Sequence, residues 1–153
     1  MTTRTFALGL MAALGVVTQG ATLRLEASPR SGHSQSEKLQ GKTYRSPGGT
    51  TLRLMLDENN VGGDVTLGEM VFPPNTDSGD HKHGAIEMFY VVSGELEHVV
   101  NGKSEILKPG MSGFVKPPDS VRHKTGPAGA KVVVVWVPGD EGKKIASRWK
   151  LEP

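Results

Sequence analysis

Three histidines and one glutamate are the residues of this sequence best suited to chemistry: His81, His83, Glu87 and His123. Side chains alternate between faces along a β-strand, so residues 81, 83 and 87 would point the same way on a strand but not on a helix. Residues 87–92 are rich in aromatic and β-branched side chains and end at Ser93-Gly94, which favours a strand. Three imidazoles and one carboxylate that converge can bind a metal ion.

A different interpretation is open for the histidines alone. Residues 77–84 are polar, and they could form a loop with solvated imidazoles. Glu87, in phase with the two histidines, and the distant His123 behind a proline-rich turn favour the metal site. His33 lies in a polar segment and is interpreted as a solvated loop histidine.

Two motifs resemble those of the cupin family. His81-x-His83-x-x-x-Glu87, followed after six residues by Gly94, is similar to the first cupin motif. Residues 118–123 resemble the second, in which a proline precedes the last histidine by five positions. The sequence departs from the family at Asn75 and Ser120, which stand where glycines are common.

The resemblance covers roughly residues 50–138 and implies a metal-binding cupin domain of the small, single-domain, quercetin-dioxygenase-like kind. It implies that His81, His83, Glu87 and His123 are the metal ligands. Without a sulfur ligand, they suit one divalent transition metal ion, with Fe or Mn favoured and Ni, Cu, Zn and Co possible. The family uses such sites for dioxygen chemistry and for lyase, isomerase and decarboxylase reactions.

The leading functional hypothesis is therefore a mononuclear-metal dioxygenase acting on a small organic molecule. One alternative is a non-redox lyase or isomerase for a sugar acid or a similar metabolite. Another is a secreted module that binds a metal or a small ligand without catalysis. Glu87 is a candidate catalytic residue as well as a ligand. His98, which shares a strand face with Leu96 and Val100, is a candidate proton shuttle, although a partly buried structural histidine is the alternative.

Composition limits the classes of function. The chain has 153 residues, enough for one domain, and a formal charge of +2 with 5% aromatic residues. This balance argues against nucleic-acid binding, which needs a concentrated basic patch or stacking platforms. Cysteine is absent, which excludes disulfides, thiolate nucleophiles and iron–sulfur centres. A small-molecule substrate is the partner that the expected metal site and the family resemblance imply.

The N-terminal residues 1–20 are predicted to be a secretory signal peptide. Arg4 precedes an apolar run over residues 6–17, which is shorter than the roughly 20 residues of a membrane span. An amphipathic or membrane helix is the alternative. Residues 21–49 form a polar, mostly irregular lead-in. We therefore expect a secreted or periplasmic protein without a membrane segment after signal removal.

The rest of the chain predicts an all-β fold, an antiparallel jelly-roll barrel or sandwich over residues 50–138. Short strands are expected at residues 50–56, 65–72, 87–92, 95–100, 103–107, 113–115, 121–124 and 131–137. Asn101-Gly102 is a strong hairpin signal, and residues 126–129 are expected to form a loop. Residues 139–153 are a charged tail, in which residues 143–150 could form a short helix with Trp149 capping the barrel.

Apolar side chains on both faces of two strands predict a homodimer. Phe89 and Val91 would wall the pocket beside Glu87, as Phe114 could, whereas Met88 and Tyr90 would face outward. A sheet with one face in water should alternate apolar and polar residues instead. A second subunit could cover the outer face. The alternative is that the chain's own terminal segments cover it.

Overall fold

A computed structural model describes residues 41–153, in which antiparallel strands dominate. The elements are β1 (Lys42–Arg45), β2 (Thr51–Leu56), α1 (Glu58–Val61), β3 (Thr66–Phe72), β4 (Ile86–Val100), β5 (Lys103–Leu107), β6 (Ser112–Val115), β7 (Val121–Val137), α2 (Asp140–Ala146) and β8 (Lys150–Leu151). The all-β prediction is confirmed. The predicted signal peptide and His33 lie outside the described residues. No helix within residues 41–153 has the length and apolarity to cross a membrane.

The sheet is organised around two long strands, β4 and β7. The strand order is β5-β4-β7-β3-β2-β1-β8, and β6 pairs with β4. The first part of β4 pairs with the C-terminal part of β7, and its second part pairs with the N-terminal part of β7. Register shifts separate the two stretches at residues 91–93 and 94–96. Because such bulges bend a strand and increase its twist, this ladder turns where the two stretches meet.

Glycine makes that bend possible. Gly94 on β4 and Gly129 on β7 have φ of 73° and 66°. A Cβ atom at Gly94 would lie 2.1 Å from the carbonyl oxygen of Gly129, so the two backbones approach too closely for any side chain. Sequence analysis predicts that β4 ends at Ser93-Gly94 and that residues 126–129 form a loop. Both predictions are wrong, because these glycines provide bulges within continuous strands rather than chain reversals.

Other local predictions have mixed outcomes. Asn101 and Gly102, with φ of 50° and 78°, form the expected hairpin turn between β4 and β5. The strand β1 is not predicted, because it lies in the polar lead-in and is held by pairing with β2 and β8. The short helix predicted over residues 143–150 is present but shifted, since α2 spans Asp140–Ala146 and Lys150 belongs to β8. Trp149 is partly buried against the core.

The faces of β4 follow the predicted alternation. Glu87, Phe89 and Val91 are buried, whereas Met88 and Tyr90 are exposed. The core continues across the sheet through other buried side chains, which include Leu52, Leu54, Phe72, Leu96, Leu107, Val132, Val134 and Trp136. The inner side of this strand therefore carries Glu87 into the core.

Phe114 does not wall the pocket. It is 61% exposed, while its neighbour Val115 is buried. Val115 pairs with Glu87 and Phe114 pairs with Met88, so the register of β6 turns Phe114 to the outer face. Together with Ile86, Met88, Tyr90 and Val92 it forms an exposed apolar surface. This surface is consistent with a homodimer, which stays a prediction.

The bend predicts a sharp difference between two glycine substitutions. Gly94→Ala combines an unfavourable positive φ with a backbone clash, and we expect it to lower the free energy of unfolding by at least about 3 kcal/mol. Gly102→Ala has the same sign of φ, but open space surrounds its Cβ position. We expect a loss of only about 1 kcal/mol there. Urea unfolding of both variants measures the difference, and equal losses would contradict the close approach.

Candidate functional site

The segment that leads into β4 brings His81 and His83 to the inner side of the sheet. Side-chain burial alternates from His81 to Phe89, which puts His81, His83 and Glu87 on one side. The backbone of His81 forms two hydrogen bonds of 2.8 Å with Val121, one in each direction. This bridge brings His81 next to the start of β7, two residues before His123.

His123 is buried on β7, and a neighbouring loop holds its backbone. Its N–H donates to Ser78 Oγ at 2.9 Å, and its carbonyl oxygen accepts the Ser78 N–H at 3.0 Å. Arg122 donates to Asp77 and fixes the same loop from outside. Asn75, which replaces the usual glycine, has φ of 56°, a conformation that asparagine tolerates better than most residues. Asn75 therefore supplies the left-handed backbone conformation at this point of the loop.

The four predicted residues lie together. The ring centroid of His81 is 4.9 Å from that of His83 and 5.9 Å from that of His123. His83 Nε2 lies 2.8 Å from Glu87 Oε2, and His123 Nε2 lies 4.0 Å from Glu87 Oε1. Within residues 41–153, no group of three or more His, Asp or Glu side chains is arranged to hold a metal ion as it stands. The arrangement is a convergent cluster around the carboxylate.

Glu87 is a buried carboxylate with three neighbours that favour its charge. The indole Nε1 of Trp136 donates to Oε2 at 3.0 Å. Burial alone would raise the pKa of Glu87, but the contacts with His83, His123 and Trp136 outweigh burial and lower the pKa to about 2. Glu87 is therefore ionised near neutral pH and is an acceptor only.

The histidines differ in charge and in partners. Burial lowers the pKa of His123 to about 4, so this ring is neutral near pH 7. Burial also acts to lower the pKa of His83, but Glu87 and Glu141 raise it by more, and the pKa lies above its usual value. His83 Nε2 and His123 Nε2 are buried without a hydrogen bond of good geometry. Such nitrogens need an explanation, because an unsatisfied buried polar atom is costly.

The Nδ1 atoms of two rings are held by acceptors. His81 Nδ1 lies 3.0 Å from the carbonyl oxygen of Gly79, and His83 Nδ1 lies 3.2 Å from Glu141 Oε1. Each acceptor favours a proton on Nδ1, and in the neutral ring Nε2 then carries the lone pair.

His98 is buried, as the prediction of an inward face requires, but it does not line the cavity described below. It is the direct cross-strand partner of His123, and the two rings stack with centroids 5.2 Å apart and planes at 15°. Its Nε2 lies 3.1 Å from the carbonyl oxygen of Phe114, to which it donates. His98 therefore contacts His123 and the backbone of β6.

The cluster lies in the wall of a cavity of about 530 Å³. Its apolar lining includes Met70, Phe72, Trp136, Ile145 and Trp149, and its polar lining includes Ser46, Thr50, Asn75, Thr76, Asp77, Ser78 and Arg148. Residues 145, 148 and 149 belong to the segment that sequence analysis treats as a charged tail. That segment instead forms part of the cavity wall.

Glu141 is the site neighbour that sequence reasoning misses. It lies on α2 and is buried, with Oε2 accepting the backbone N–H of Gly84 at 3.3 Å. In the sequence it stands among Asp140, Lys143 and Lys144, a pattern typical of a solvated helix face. No local signal distinguishes it, because its contact with His83 spans 58 residues.

Comparison with known proteins points to one family. The model of the cupin domain matches residues 68–138, a range that holds all four clustered residues. A search among curated proteins gives no match.

Solved structures share the fold at low sequence identity. An RmlC-like cupin from Shewanella frigidimarina is 22% identical with a TM-score of 0.59, covering 67% of this chain and 87% of its own. A predicted oxalate decarboxylase from Thermotoga maritima is 22% identical with a TM-score of 0.58, covering 68% and 96%. The polyketide cyclase RemF from Streptomyces resistomycificus is 27% identical with a TM-score of 0.56, covering 63% and 73%.

The domain match and the shared fold agree with the two motifs and with the antiparallel sheet. Residues 68–138 therefore form a single small cupin domain, and the described residues share the fold of solved cupins.

Proposed function

We propose that this cupin is a small metal-dependent enzyme. His81, His83, Glu87 and His123 would hold one divalent transition metal ion, and a small organic substrate would occupy the adjoining cavity. The observation that supports this best is a pair of buried imidazole nitrogens, His83 Nε2 and His123 Nε2, which lie beside an ionised carboxylate without a hydrogen bond of good geometry.

The donor set fits such an ion. Imidazole nitrogens and a carboxylate oxygen without sulfur suit a borderline divalent metal. His83 Nε2 and Glu87 Oε2 lie 2.8 Å apart, so one ion bound there would contact both atoms. The acceptors on Nδ1 of His81 and His83 leave their Nε2 lone pairs for the ion.

When bound, the ion would supply a Lewis acid with positions open to substrate or dioxygen. The residues of the chain would hold the ligands in place and shape the cavity for the substrate. Trp136 holds Glu87 by a hydrogen bond, and the loop at Ser78 holds the backbone of His123. Apolar walls such as Phe72 and Trp149 would exclude water around a small organic molecule, and polar groups at residues 75–78 would orient it.

His98 would act through His123. It packs flat on that ring and donates to a backbone carbonyl, and it is absent from the cavity wall. We therefore propose that it supports the position of His123, in preference to a role as proton shuttle.

The reaction that we favour is a dioxygenase reaction with Fe or Mn, in which both oxygen atoms of dioxygen enter the organic substrate. A second candidate is a non-redox lyase or isomerase reaction. Two proteins of similar fold, named as a polyketide cyclase and as a predicted oxalate decarboxylase, support keeping it. Fold alone does not decide between these reactions.

Metal analysis of protein purified without added metal, followed by a screen of oxygen consumption against small organic acids and phenols, tests the proposal. We expect about one equivalent of a transition metal and substrate-dependent oxygen uptake. Stoichiometric Zn without oxygen uptake would favour the non-redox reaction. Protein that neither contains metal nor binds added Fe, Mn or Zn would contradict the proposed function.

The clustered residues should act as a unit. We expect His81→Ala, His83→Ala and His123→Ala each to remove most bound metal and all activity, because each deletes one ligand. Glu87→Gln keeps the shape of the side chain but removes its charge, and it should weaken binding. Elemental analysis of the purified variants measures the effect. His33→Ala is the matched control, and a full equivalent of metal in His83→Ala would contradict the ligand set.

Metal affinity should depend on pH through His83. The raised pKa of His83 means that a proton competes with the metal near and below neutral pH, whereas His123 stays neutral above about pH 4. Affinity should therefore fall as pH decreases, by about tenfold per pH unit once His83 is protonated. Titrations of metal-free protein at pH 8 and pH 6 measure this. Equal affinity at both values would contradict His83 as a ligand.

A further inference from the structure

The helix α2 has a fixed position on the barrel. A Cβ atom at Gly139 would lie 2.5 Å from the backbone carbon of Val65, and one at Gly142 would lie 2.6 Å from Thr66 Cγ2. Thr66 Oγ1 donates to the carbonyl oxygen of Gly139 at 2.5 Å. The two glycines therefore allow α2 to lie directly on the start of β3, and the hydrogen bond fixes its first turn.

Of the two acids at the start of α2, Glu141 is turned inward. Its side chain is 10% exposed, whereas that of Asp140 is 54% exposed and pairs with Lys144 on the surface. Glu141 Oε1 lies 3.2 Å from His83 Nδ1, and Oε2 accepts the N–H of Gly84. Both carboxylate oxygens therefore contact the segment between His81 and β4.

The contact settles which nitrogen of His83 carries a proton. An ionised carboxylate only accepts hydrogen bonds, so Nδ1–H must donate to Glu141. Nε2 of the neutral ring is then a lone pair, and it lies 2.8 Å from Glu87 Oε2 without a hydrogen bond of good geometry. A lone pair and a carboxylate oxygen at this distance repel each other unless a proton or a metal cation lies between them.

We propose that Glu141 is a positioning residue for His83: it holds the Nδ1 proton and directs Nε2 to the metal ion. This inference rests on the proposed function. Its basis is the contact between the buried side-chain carboxylate of Glu141, near the C-terminus of the chain, and His83 of the first motif. Removing an outer partner of this kind costs about 10- to 100-fold in metal affinity in known sites.

Binding of Co²⁺ in competition with a chelator tests the proposal. Glu141→Gln keeps the size of the side chain, but an amide has one acceptor oxygen for the two N–H groups of His83 and Gly84. We expect Co²⁺ affinity to fall by about 10- to 100-fold. Asp140→Asn is the matched control, because it removes the same charge from the same helix without contact to His83, and it should leave affinity unchanged.

The ring nitrogens of His83 provide a readout that does not require metal. In ¹⁵N-histidine spectra of metal-free protein at alkaline pH, we expect the Nδ1–H form of His83 in the wild type and in Asp140→Asn. In Glu141→Ala we expect a mixture of both tautomers. Thermal unfolding of each variant verifies that it is folded, and Glu141→Gln replaces Glu141→Ala in the spectra if the alanine variant unfolds.

The outcomes separate the two proposals. The positioning role would be overturned if Glu141→Gln bound Co²⁺ with wild-type affinity and Glu141→Ala kept the His83 tautomer of the wild type. The proposed function would then still stand. A wild-type protein that binds no Co²⁺, but whose His83 tautomer depends on Glu141, would support only the hold of Glu141 on the Nδ1 proton and would contradict the proposed function.

Discussion

A buried carboxylate is the constraint on which the rest of this structure depends. Glu87 is 4% exposed, and an ionised carboxylate in a protein interior costs several kcal/mol unless partners compensate. The ladder between β4 and β7 supplies one partner by register alone, because Trp136 is the residue directly opposite Glu87. His83 and His123 approach from the side of the cavity. The pairing that builds the core therefore also determines the electrostatics of the site.

The same ladder connects Glu87 to His98 and His123. Beyond the bend at Gly94, His98 on β4 pairs with His123 on β7, so one pair of strands contributes Glu87, Trp136, His98 and His123. A slip of one residue would turn all of them to the outer face. The close backbone approach between Gly94 and Gly129 fixes the bulge that prevents this slip. Register and bend together bring the second-motif histidine to the first-motif carboxylate.

The C-terminal segment supplies the part of the cavity wall and of the site that the strands do not. Ile145 and Trp149 line the cavity, and Glu141 contacts His83 from outside the sheet. The cupin domain match ends at residue 138, so these contributions lie beyond it. Proteins that share the fold carry names as different as decarboxylase and cyclase. We therefore look to residues of this segment for what is particular to this chain, since the clustered histidines and Glu87 lie inside the matched domain.

The sequence by itself determined those features that depend on local periodicity. A period of two puts residues 81, 83 and 87 on one side, and burial along the segment follows it. The Asn101-Gly102 turn follows equally from local chemistry, since both residues accept a positive φ. Only the tertiary structure decided whether Gly94 ends a strand or bends it, because the answer depends on Gly129 of another strand. It also decided that Phe114 faces outward, that His98 stacks on His123, and that Glu141 is buried rather than solvated. Each of these depends on a partner distant in sequence, and a local pattern holds no information about which distant residue will pack against it.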